Sequence, residues 1–68
     1  MLPGKEIVKA LIRLGFAALR TRGDHVFMKH TDGRSTTVPL YDEIDRGLLR
    51  KILRDAEIKP AEFIASLK

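Results

Sequence analysis

"HVFMKHTDGRSTTVPL", residues 25–40, decides the fold. Two runs of aromatic, Val and Thr residues flank Asp32-Gly33, a dipeptide that permits positive φ, and this is the pattern of a β-hairpin. The spacing predicts one strand over His25–Thr31 and another from Arg34 to Pro39 or Leu40. Upstream, 16–22 is too short and too mixed for a helix and reads as a further strand ending at Gly23, so the three form a meander. Alternation places His25, Phe27 and Lys29 on one side of the middle strand and Val26, Met28 and His30 on the other. Neither set is wholly apolar, which leaves the core face unassigned.

Outside the strands the rhythm becomes helical. Ile7, Val8, Leu11 and Leu14 recur at three- and four-residue spacing, with Lys5, Lys9 and Arg13 opposite, predicting a helix over 4–14 that Gly15 ends. "PLYDEIDRG", 39–47, has no sustained period and reads as a loop with Asp45 as a helix cap. Leu48, Leu49, Ile52, Leu53 and Ala56 then line one side of a helix over about 46–56. Pro60, early Glu62, and Phe63, Ile64 and Leu67 outline a short last helix. The order α-β-β-β-α, with a terminal helical turn or two, defines a two-layer α+β domain with one sheet face under helices. No second domain, repeat, low-complexity tract or linker interrupts 1–68, which is read as a single domain.

At 68 residues the chain buries a modest share of its surface, and its stability margin should be thin. Its apolar runs are too short to span a bilayer, and "MLPGKEIVKALIRLG" alternates charge and apolar residues instead of presenting a secretory block, so a cytoplasmic location is expected. Without cysteine there is no disulfide or thiolate nucleophile, and two histidines five apart with scattered carboxylates make a poor zinc site. No glycine pattern matches a phosphate or dinucleotide loop, and no carboxylate cluster matches a two-metal centre, so neither cofactor nor metal is expected. "RGD" at 22–24, without any sign of secretion, is set aside as an adhesion motif. The net charge of +4 is uneven: residues 1–34 hold seven basic against three acidic side chains, the remainder six against six. Such a bias favours polyanions.

The basic half also contains both histidines. In a small, basic domain of this kind, a catalytic His25 would fit RNA cleavage by the substrate's own 2′-hydroxyl. Imidazole titrates near neutrality and can take the 2′-proton or protonate the departing 5′-oxygen, while Arg or Lys offsets charge on the phosphorane. Asp24 has three available roles: it can orient the ring, repel phosphate, or stabilise the turn after Gly23.

Four segments, "GKEIVKALIRLGF", "RGDHVFMKHTDGR", "TTVPLYDEIDRGLLRKIL" and "AEFIASL", together resemble the HicA toxins, small messenger-RNA interferases of toxin-antitoxin modules. The resemblance implies a double-stranded-RNA-binding-domain-like α-β-β-β-α fold, RNA cleavage and neutralisation by a HicB antitoxin. The family's glycine-serine-histidine motif falls on Gly23, Asp24 and the catalytic candidate His25. Its histidine before the hairpin turn falls on His30, its valine-proline pair on Val38 and Pro39, and its helix glycine and arginine on Gly47 and Arg50. Three positions depart: Asp24 replaces serine, Tyr41 a histidine, and Leu48 a threonine.

The resulting expectation is a metal-independent endoribonuclease acting on single-stranded mRNA through His25, without cofactor. Arg22, Lys29, His30 and Arg50 are RNA-contact candidates, and Gly23, Asp24, Gly33, Val38, Pro39 and Gly47 shape the motif. The alternative is an RNA- or antitoxin-binding module whose nuclease activity is weak or lost because of Asp24.

Overall fold

Three antiparallel strands, β1 (Phe16–Arg22), β2 (His25–His30) and β3 (Ser35–Pro39), pair in the order β1-β2-β3, as the turn residues require. The coordinates, a computed structural model, describe residues 2–67; positions 1 and 68, the ends of the expected domain span, lie outside the described residues. Helix α1 (Gly4–Arg13) precedes the sheet, and α2 (Arg46–Asp55) and α3 (Pro60–Ser66) follow it. The architecture is the expected two-layer α-β-β-β-α arrangement, and the terminal segment forms a third helix of two turns. Among the described residues no helix is long and apolar enough to cross a membrane.

The core face of β2, left open by its sequence, is the one carrying Val26 and Met28. Both are buried with Val38 of β3, Ile7 and Leu11 of α1, and Ile52 and Leu53 of α2. Each such side chain contributes roughly 1.5–3 kcal/mol by leaving water. Thr36, also buried, donates its hydroxyl to the Ile52 carbonyl at 3.1 Å and so ties β3 to α2 without an unpaired polar atom. Asp45 caps α2 as expected, accepting the Leu48 N–H at 2.8 Å. On α3 only Phe63 joins the core, whereas Ile64 and Leu67 remain exposed.

The start of α1 is fastened to the end of β3. Gly4 N–H donates to the Tyr41 carbonyl at 2.8 Å, and a Cβ at position 4 would overlap the Pro39 carbonyl oxygen and crowd the Leu40 Cα. Backbone cannot yield as a flexible side chain does, so Gly4→Ala should cost about 1–3 kcal/mol. That is a large part of the roughly 3–10 kcal/mol available to a chain of this size. Chemical denaturation of the two proteins checks it; equal midpoints would contradict the packing described.

Candidate active site

Arg20 and Arg22 reach the face opposite the helices because β1 is irregular. Strict alternation from buried Phe16 would send positions 20 and 22 toward the core, but the register shifts between Ala18 and Arg20. A bulge adds one residue and reverses the alternation beyond it. Arg20 therefore stands opposite Phe27, and Arg22 opposite His25. From the other side β3 places Thr37 against Phe27 and Ser35 against Lys29. Arg20, Arg22, Lys29, His25 and Phe27 consequently share the open sheet face.

The β1–β2 turn aims the histidine. Arg22 pairs with His25 across a two-residue loop in which Gly23 takes φ +57° and Asp24 stays out of the left-handed region, as in a type II′ hairpin. Asp24 Oδ1 lies 2.7 Å from His25 Nδ1, with both side chains about half exposed, at 58% and 49%. An ionised carboxylate can only accept, so Nδ1 is the donor of this contact, and in the neutral form of the ring the Nε2 lone pair is the free one. The Tyr41 ring meets the imidazole edge-on, 6.0 Å between centroids. Of the three roles open to Asp24, this contact supplies the first: the carboxylate is placed to orient the ring.

Beside His25 is a shallow cavity of about 140 Å³ lined by Arg20, Arg22, His25, Phe27 and Thr37. The Arg20 guanidinium sits over the Phe27 ring, 5.2 Å from its centroid. Arg20, Phe27, Thr37 and Tyr41 were not singled out as site residues by sequence. Alternation already placed Phe27 beside His25, but nothing in the composition of β1 announces the bulge that delivers Arg20.

The sequence-derived candidates do not all converge. Arg22 and Lys29 share the His25 face, with Gly23 and Asp24 forming its turn and Pro39 opposite His25. Val38 lies in the core and Gly47 in the first turn of α2. Arg50 lines a separate apolar groove of about 430 Å³ with Arg46, Leu49, Leu53, Phe63 and Ile64. His30 turns to the helical side, where its side chain is 22% exposed and meets Phe16 edge-on at 5.2 Å between centroids. A Cβ on Gly15 would intrude on that ring.

His30 Nδ1 accepts the Asp32 N–H at 3.1 Å in the β2–β3 turn, where Gly33 takes φ +100°. The Asp32 carboxyl is held below its ordinary 3.8 chiefly by the backbone N–H of Arg34, with further help from the Arg34 guanidinium and His30. The folded value is the lower one, so this contribution is complete above the unfolded value and is lost as pH falls through the folded one. Asp32→Asn should therefore flatten the acid limb of the stability profile below about pH 4, as read by denaturant melts. An acid limb unchanged by the substitution would contradict the turn's electrostatics.

A small basic α+β protein with an oriented histidine on an uncovered, arginine-lined sheet defines a class suited to RNA. The family model described as HicA toxin of bacterial toxin-antitoxin matches residues 4–58, and the chain belongs to that family. The match ends before α3, so the closing "AEFIASL" lies outside it. HicA proteins are associated with mRNA interferase activity and generally pair with HicB antitoxins. A comparison with curated proteins finds no match.

Proposed function

We propose that this protein is a metal-independent endoribonuclease of single-stranded mRNA, with 1–68 acting as one HicA-like domain in the cytoplasm and His25 as its acid-base residue. The observation that carries the reading is the 2.7 Å contact between Asp24 and His25 Nδ1, which leaves Nε2 directed away from the carboxylate on an open basic face. Nε2 takes the proton of a ribose 2′-hydroxyl, and the 2′-oxygen attacks the adjacent phosphorus. The bond to the 5′-oxygen breaks, and the imidazolium returns its proton to that oxygen. The products are a 2′,3′-cyclic phosphate and a 5′-hydroxyl. This balance needs no metal or cofactor.

Arg22, paired across from His25, offsets charge on the phosphorane, while Arg20 and Lys29 follow the flanking phosphates. In this reading His30 holds the hairpin turn and Arg50 belongs to the helical groove. The direction of Asp24 toward the ring favours turnover over a binding module without it. A HicB-like antitoxin neutralises the enzyme by laying acidic groups over the same face and excluding RNA. The test is cleavage of a single-stranded RNA by wild type and His25→Ala, with and without EDTA. Wild-type cleavage that survives EDTA and disappears in the variant supports the proposal; cleavage requiring a divalent ion, or persisting without His25, contradicts it.

A further inference from the structure

We infer that Phe27 is a stacking platform for one unpaired nucleobase, so that this site selects single-stranded over duplex RNA. The inference rests on the open face taking RNA. Phe27 stands on the central strand two residues from His25, on the face no helix covers, and is only partly buried. The ring lies outside the hydrophobic core, on a sheet surface beside three cations, and its neighbours across the sheet are Arg20 and Thr37 rather than apolar side chains. Those two residues, with Arg22 and His25, bound the cavity of about 140 Å³, which has the scale of a single flat ring system.

The chemistry of these walls fits a nucleoside. The Phe27 ring supplies a π face, and the Arg20 guanidinium, 5.2 Å from its centroid, is a planar cation able to stack on or flank the base. Arg22 and His25 pair at the β1–β2 end of the same cavity, where the phosphate and ribose of that nucleotide would lie. Besides His25, the lining residues offer the exposed Thr37 hydroxyl, which can donate or accept. Recognition is therefore tolerant of base identity, because every base has a π face. A base inside a duplex is already stacked on both sides and cannot enter.

The experiment separates this subsite from catalysis by using an oligonucleotide that cannot be cleaved. A single-stranded RNA with 2′-fluoro in place of every 2′-hydroxyl, carrying one 2-aminopurine, is titrated with wild type, Phe27→Leu and Phe27→Tyr; stacking quenches the fluorophore. Leu retains apolar bulk and should keep the fold, which circular dichroism checks. Wild type and the Tyr variant should bind and quench. The Leu variant should bind about ten-fold more weakly and lose the quench, as expected for removal of one base–aromatic contact. The same strand annealed to its complement should bind more weakly than the single strand. Equal affinity and quench for the Leu variant, equal binding of duplex, or no binding by wild type would overturn the inference. Quenched binding of this probe without cleavage of the all-ribose strand would support the stacking site while defeating the catalytic reading of His25.

Discussion

Replacing His25 with Ala should lower RNA cleavage by about 10²–10⁴-fold, the usual contribution of a positioned acid-base group. The fold should be untouched. His25 lies at the first position of β2 with its side chain half exposed, and its ring contacts only the Asp24 carboxylate and the edge of Tyr41 in the described interactions. No buried cavity opens when the ring is removed, so the thermal midpoint should shift little. A variant that retains both melting behaviour and cleavage would remove His25 from the chemistry. The prediction is asymmetric for the two histidines. His30→Ala strips a ring packed on Phe16 and a hydrogen-bond acceptor from the β2–β3 turn, so its principal effect should be on stability.

Asp24→Ala is expected to reduce kcat while improving KM. The carboxylate does two opposing things. Its bond to Nδ1 fixes tautomer and ring direction, and a hydrogen bond to a charged partner is worth about 1.5–3 kcal/mol. Exposure of both groups brings this pair down to about 1 kcal/mol, which corresponds to roughly a five-fold loss of kcat. The same negative charge opposes an incoming phosphate. At about 6 Å in water that repulsion is only about 0.7 kcal/mol, or roughly three-fold in KM, and salt reduces it further. Orientation therefore outweighs repulsion, and the two effects divide between the two kinetic constants. Asp24→Ser returns the residue typical of the resembling family; its hydroxyl can still accept from Nδ1, so it should recover part of kcat while keeping the lower KM. A rise in kcat for Asp24→Ala would show that the carboxylate hinders the chemistry.

Local residue patterns made most of the scaffold legible. Gly15 after an amphipathic run, the Asp32-Gly33 turn, the Asp45 cap and Pro60 at a helix start each act within a few residues, and each stands where expected. The core face of β2 was harder because its two sides differ by one residue in apolar content. Packing resolved it: helices cover Val26 and Met28, and His30 is accommodated at the core's edge by the small Gly15. The β1 bulge depends on register with β2, a long-range property that no stretch of β1 contains. Arg20 was missed for that reason. Glu57 is a second such case. It adopts φ +55° after α2, while Ile58 N–H donates to the Leu53 carbonyl at 2.9 Å and Arg34 reaches the Ala56 carbonyl at 3.2 Å. That helix ending normally uses glycine, and here a tertiary contact from the hairpin supports a side chain in its place.

The central claim is that one ribose hydroxyl is the nucleophile and His25 the group that deprotonates it. It is tested most directly with a DNA oligonucleotide containing a single ribonucleotide, incubated with the purified protein in EDTA. The account predicts cleavage only on the 3′ side of that ribonucleotide, leaving a 2′,3′-cyclic phosphate and a 5′-hydroxyl, and no cleavage by His25→Ala. Scission at deoxynucleotide positions, or a 5′-phosphate product, would contradict it.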